Sequence, residues 1–229
     1  MGMLPAFDRE QGLTGYSIGR LEGSTEPSVV YAQDMQPFDP SRFGPMALEG
    51  QPAFTSDASG RVFIAEAGWE GISVAGYLPD WEVFLRIDEE MDRVEKTGEE
   101  LEAERTEFEE MSAGRGGRFR GADAVFEPLP CRRAVSELGV DGEDRLWVRL
   151  GTRRFPYWRV YDMEGDLLFT ASFDNGDPDI DQLTVRITEN GMAAWVPDPT
   201  TWPRVLLLEP AFEYTGESNQ GVPLLPDPR

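Results

Sequence analysis

The chain has 229 residues, 40% hydrophobic and 11% aromatic, which is enough apolar material for one large domain or two small ones and too much for a disordered chain. Its 21 cationic residues stand against 43 acids, a net charge of −22 that repels nucleic acid and anionic membranes and favours cations or basic partners. With no histidine and a single cysteine, Cys131, the composition excludes a Ser-His-Asp triad, a Cys-rich zinc site and an intrachain disulfide.

Residues 1–15 carry glycine and proline without periodicity and read as a flexible leader. They lack the basic and apolar regions of a signal peptide, so the expected compartment is the cytoplasm unless the chain is part of an exported parent. Tyr16 to Leu21 alternates as a strand. Residues 22–50, with Pro27, Pro37, Pro40 and Pro45, read as a long loop holding short extended pieces such as Val29-Val30-Tyr31.

A repeating unit begins near Gln51. Pro52-Ala53-Phe54 is a strand, Asp57-Ala58-Ser59-Gly60 a tight turn in which Gly60 is free to take positive φ, and Arg61 to Ala65 the returning strand. After Gly71, Ile72 to Tyr77 alternates, Pro79-Asp80 turns, and Trp81 to Ile87 closes four short antiparallel strands. The second unit, from Ala134 to Phe173, turns at Asp141-Gly142 and again at Asp162-Met163-Glu164-Gly165. The third, Leu183 to Val196 followed by the apolar strand Arg204 to Leu208, is weaker, and residues 213–229 read as a tail. Phe63, Trp147 and Trp195 hold matching positions in the three units, a place suited to packing between blades. Asp57 and Asp141 lie 84 residues apart, Asp141 and Glu189 only 48, and one insertion of residues 88–125 accounts for the difference of 36.

That insertion is the one helical segment. Residues 88–112 hold 12 acids against Arg93, Lys96 and Arg105, with Met91, Val94, Leu101, Phe108 and Met111 forming a narrow apolar stripe. Thr97-Gly98-Glu99-Glu100 matches a capping box, which predicts that one short helix ends there and a second begins. The basic segment Gly114 to Gly121 then suits charge pairing with the acidic helix better than RNA binding. Lys96 is the only lysine among those cations, which fits a saline habitat or a GC-rich genome equally.

The fold expected from these units is all-β: a partial β-propeller of about three to four antiparallel blades over residues 16–212, with one acidic helical insertion. Two stretches carry a family resemblance, Gly60-Arg61-Val62-Phe63-Ile64 and Val140-Asp141-Gly142-Glu143-Asp144-Arg145-Leu146-Trp147-Val148, the latter followed by Trp158 to Leu168. The chain resembles the C-terminal portion of the bacterial six-bladed, NHL-like β-propeller proteins over residues 14–210. The resemblance implies a ring larger than this chain supplies, and an open arc exposes sheet faces and edges, so self-association or an unusual closure is expected.

No catalytic constellation stands out. The densest set of oxygen ligands is Asp174, Asp177, Asp179 and Asp181; these suit Ca²⁺, but without EF-hand spacing they read first as an acidic loop with Asx turns. The resemblance to six-bladed propellers brings calcium-dependent lactonases into view, and Glu66, Asn175 and Asn190 are available as ligands, with no position-by-position match to those enzymes' motifs. Trp69, in Gly68-Trp69-Glu70-Gly71, and Trp202, between Thr201 and Pro203, are the aromatic candidates for a surface that takes a sugar, a cationic ligand or a partner. The leading reading is a non-enzymatic binding or scaffold module with no required cofactor. The alternatives are a calcium-dependent hydrolase and an assembly subunit that docks a basic partner through its acidic helix.

Overall fold

The computed structural model describes residues 2–21, 27–37, 52–66, 68–114, 128, 130–151, 156–172, 184–196 and 204–208. Its strands form four antiparallel sheets, each made of strands consecutive in the chain. Sheet 1 holds β1 (Gly2–Asp8), β2 (Leu13–Arg20) and β3 (Val29–Pro37). Sheet 2 holds β4 (Phe54–Ser56), β5 (Val62–Ala65), β6 (Gly71–Tyr77) and β7 (Val83–Glu90). Sheet 3 holds β8 (Glu137–Val140), β9 (Leu146–Gly151), β10 (Pro156–Tyr161) and β11 (Leu167–Ser172). Sheet 4 holds β12 (Thr184–Thr188), β13 (Gly191–Val196) and β14 (Arg204–Leu208). Among the described residues, one helix, α1 (Gly98–Gly114), stands between sheets 2 and 3 in chain order. This is an all-β, partial-propeller arrangement, in which first strands approach one another: β8 lies beside both β4 and β12.

The sheets stack in chain order, and strand alternation decides which side chain meets which neighbour. All four residues of β5 are buried. Val62 and Ile64 pack with Ile18 of sheet 1, whereas Phe63 and Ala65 pack with Leu138, Val140 and Val148 of sheet 3. In β9, Leu146, Val148 and Leu150 face sheet 2 while Trp147 joins Val185, Ile187, Met192 and Ala194 of sheet 4. A strand buried on both faces reads as a continuous apolar run, as Val62-Phe63-Ile64-Ala65 does.

Four hairpin loops share one geometry. In Asp57–Arg61, Leu78–Glu82, Asp141–Arg145 and Asp162–Asp166, the first N–H donates to the fifth carbonyl and the fourth N–H to the first carbonyl. The fourth residue takes positive φ: Gly60 84°, Trp81 82°, Asp144 58° and Gly165 93°. Trp81 is the outlier, since a bulky side chain in this region costs about 1–2 kcal/mol relative to glycine. Its ring stacks on Tyr31 of sheet 1 at 5.9 Å between centroids, which ties sheets 1 and 2 together.

Three expectations are corrected. Residues 2–8 are no loose leader: β1 pairs along its whole length with β2, from Gly2↔Gly19 to Asp8↔Leu13. Val29–Pro37 is likewise a full strand, not a short extended piece. The insertion begins later than residue 88, because β7 runs to Glu90. Its neck is a small antiparallel clasp: Glu95 pairs with Cys131, Lys96 N–H donates to the Pro130 carbonyl and Arg132 N–H to that of Val94, both at 2.8 Å. Met91 therefore packs on the core between sheets 2 and 3, Val94 sits in the clasp, and only Leu101 of these three lies on α1, so the apolar stripe is not one helix face.

The capping box and the helix after it form as read, but the short helix expected before it does not, because residues 94–96 are drawn into the clasp. Glu100 N–H donates to Thr97 Oγ1 at 3.3 Å and Thr97 N–H to Glu100 Oε2 at 2.8 Å. Ion pairs fix α1 to its neck: Arg132 bridges Glu100 through both carboxylate oxygens, and Lys96 Nζ meets Glu104 at 2.8 Å. The segment at residues 115–121 lies outside the described residues.

Candidate functional site

The first strands of sheets 2, 3 and 4, joined by Met3 of sheet 1, line an open cavity of about 1130 Å³. Side chains at the ends of short strands are polar where they leave the apolar stack, and here they converge. Glu137, on β8, receives Arg149 Nη1 at 3.0 Å and has Arg186 Nε of β12 at 4.0 Å. Arg149 is buried and its guanidinium lies over the Trp158 ring at 5.4 Å, so its position is fixed by packing as well as by charge. Arg133, Thr184, Thr188 and Asn190 add donors and hydroxyls to the wall. Among the charged groups of the lining, Arg133, Arg149 and Arg186 balance Asp57, Glu137 and Glu189. In a chain of net charge −22, that balance makes the cavity far less acidic than the surface around it.

Asp57 and Ala58 of the first hairpin loop rim one end of the cavity, and beside it they share a smaller cleft with Asp141, Gly142 and Asp144 of the second. Asp57 Oδ1 accepts Arg61 N–H at 2.9 Å and Ser59 Oγ at 2.8 Å, and Asp57 Oδ2 accepts Arg61 Nε–H. Asp141 repeats the device with more donors: Oδ1 accepts the Glu143 and Arg145 amides, and Oδ2 accepts Arg145 Nε–H and Trp147 Nε1–H, both at 2.7 Å. Each arginine also lies over a phenylalanine of its own sheet, Arg61 over Phe84 at 5.8 Å and Arg145 over Phe169 at 5.6 Å. Arg61 then reaches across to Asp144, linking the rims of sheets 2 and 3. Burial pushes both carboxyls up, but the hydrogen bonds outweigh it: those from Ser59 and Arg61 hold Asp57, and those from Trp147 and Arg145 hold Asp141, below the usual carboxylate range.

Between sheets 2 and 3, Tyr161 Oη–H donates to Glu89 Oε1 at 2.8 Å while Arg159 pairs with the other oxygen. Burial, then the Glu89 carboxylate, pushes the Tyr161 phenol far up, so it stays protonated as a structural donor.

Asp174, Asp177, Asp179, Asp181, Asn175 and Trp202 lie outside the described residues. Trp69 is half-buried in the turn between β5 and β6, where the Gly68 carbonyl accepts Ala134 N–H at 3.0 Å, and it does not line the cavity. Glu66 is exposed in the same turn, while Asn190 does line the cavity. Among the described residues, no group of three or more acids or thiols is placed to hold a metal ion. The cavity residues Arg133, Glu137, Arg149 and Arg186 were missed in the sequence because each resembles an ordinary surface charge. The available signal was their place beside the first two strands of each repeat, the part of a blade nearest the axis. Comparison with known protein families, curated proteins and solved structures found no match.

Proposed function

We propose that the protein is a non-enzymatic binding module built from propeller blades, and that it takes a small polar ligand in the central cavity. The observation that carries this reading is the cavity itself: about 1130 Å³, walled by first strands, with Glu137 held between Arg149 and Arg186. Fixed charges of both signs beside hydroxyl groups suit a zwitterionic or polyhydroxylated ligand better than an apolar one. The carboxyls among the described residues with displaced titration, Asp57, Glu100 and Asp141, are all held ionised by arginines and backbone amides.

The relationship to NHL-like six-bladed propellers remains a proposal at the level of the blade, supported by the strand–Asp–Gly–strand hairpins. A hydrolase requiring Ca²⁺ is the competing reading, and a thermal-shift assay with CaCl₂ against EDTA separates the two. The binding reading predicts no response to either.

The direct test is a thermal-shift panel of amino acids, small sugars and hydroxy acids, followed by calorimetry on any hit. A ligand present at a hundred times its Kd stabilises the fold by about 2.7 kcal/mol. Glu137→Gln and Arg186→Ala are expected to abolish that shift. A ligand whose affinity is unchanged in both variants overturns the assignment of the cavity.

A further inference from the structure

Each sheet of the stack has a face toward the preceding sheet and a face toward the following one. The preceding-side face is apolar at alternate positions of its first strand: Leu138 and Val140 in sheet 3, Val185 and Ile187 in sheet 4. The following-side face carries an aromatic on its second strand: Phe63 in sheet 2 and Trp147 in sheet 3, which are 0% and 2% exposed because the next sheet covers them. Sheet 4 has the same two-sided character. Val185↔Ala194 and Ile187↔Met192 face sheet 3, so Thr184↔Trp195 and Arg186↔Ala193 start on the opposite face, from which the long Arg186 side chain reaches back to Glu137 at 4.0 Å. Trp195 is the aromatic of that far face, and it is only half-buried.

It does not repeat the register of Trp147, as the sequence suggested. The β12–β13 turn has two residues where the β8–β9 loop has five, so Trp195 keeps the face but stands deeper from the turn. Sheet 1 presents the complementary face. Ile18, Tyr16 and Met3 pack toward sheet 2. The residues paired on the other side are Leu4↔Ser17 and Ala6↔Gly15, again apolar at alternate positions of a first strand, with Leu13 and Met35 on the same side. Leu4, Ala6, Leu13 and Met35 are half-buried, and no described cluster of buried residues includes them.

We propose that the far face of sheet 4 docks on the far face of sheet 1 of a second copy of this chain, and reciprocally, so that two arcs close into one ring of eight sheets. The occupant is a second copy because the chain carries both halves of the contact. Each half matches the side that faces it in the sheet 2–sheet 3 and sheet 3–sheet 4 interfaces already built into the molecule. The second copy also supplies the remaining wall of the cavity.

Light scattering coupled to size exclusion tests this on the full chain. The expected mass is twice 25.7 kDa. Trp195→Glu and Ala6→Glu each bury an unpaired charge in the contact and should weaken association about a hundredfold or more, as breaking a buried pairing does. Circular dichroism confirms that each variant remains folded. Because the contact is head-to-tail, an equimolar mixture of the two variants regains the doubled mass through its one intact interface. Added salt should favour the dimer, since it screens repulsion between copies of charge −22. The proposal is overturned by a wild-type mass of one chain at all concentrations, by either variant alone keeping the doubled mass, by no recovery on mixing, or by dissociation on adding salt.

Discussion

Sheets 3 and 4 open on hairpins at matching places in the repeat, but a five-residue loop joins β8 to β9 and a two-residue turn joins β12 to β13. In sheet 3 the loop aspartate, Asp141, gathers two backbone amides, an arginine and the indole N–H of Trp147, and that tryptophan is 2% exposed. In sheet 4 the residue at the matching sequence position is Glu189, exposed, the arginine position is Ala193, and Trp195 is half-buried. The difference teaches that the aspartate loop is an anchor for an aromatic that must be held while another sheet is seated on it. Where that neighbour is not part of the described stack, the anchor is absent too.

The sharpest way to break this comparison is to truncate both tryptophans. Trp147→Ala removes a buried ring and one of the four donors to the Asp141 carboxylate, with an expected loss of about 3–5 kcal/mol in urea unfolding. Trp195→Ala, measured below the concentration at which copies associate, should cost about 1 kcal/mol. Equal losses would mean that the two faces are equally buried in solution and would remove the distinction.

The loop itself comes next. Asp141→Ala is expected to cost about 2–3 kcal/mol, more than Asp57→Ala, because Asp57 has no indole donor to satisfy. Asn at position 141 should recover part of that loss by keeping one acceptor oxygen.

A third prediction concerns pH. Both loop aspartates have folded values below the unfolded 3.8, so their stabilisation is complete above that value and is lost as pH falls through the lowered one. Acid unfolding of the wild type should therefore steepen below pH 3.8, and a titration of Asp141→Asn should be flatter there.

The smallest effect is expected at the helix. Glu100→Gln weakens a partly exposed pair with Arg132 and should change global stability by less than about 1 kcal/mol. Amide exchange should nevertheless quicken within Gly98–Gly114, leaving the sheets unaffected.

Much of this arrangement was legible in the chain. The Asp57 and Asp141 turns, the alternating strands and the Thr97–Glu100 capping box each depend on neighbours a few residues away, and local pattern reports such things well. In sheet 1 only parts of β2 and β3 were legible and β1 was not, because β1 is an edge strand containing Gly2 and Pro5, residues that weaken a strand pattern yet are tolerated where one side needs no partner. The cavity was not legible for a different reason. Arg149 meets Glu137 as its cross-strand partner in β8–β9, but only the stacking of sheet 4 on sheet 3 brings Arg186 to them.

The clasp at the base of the insertion has an engineering consequence. Because residues 94–96 are paired with 130–132, the two chain ends leaving sheets 2 and 3 are already adjacent before the helix begins. The span between them is insulated from the strand registers on either side. Closure entropy changes by only about 0.6 kcal/mol for each doubling of loop length, so this span can be replaced by a short turn or by a foreign domain at little cost. Residues 97–129 thus mark a graft point, where new recognition or a reporter can be carried without disturbing the blades.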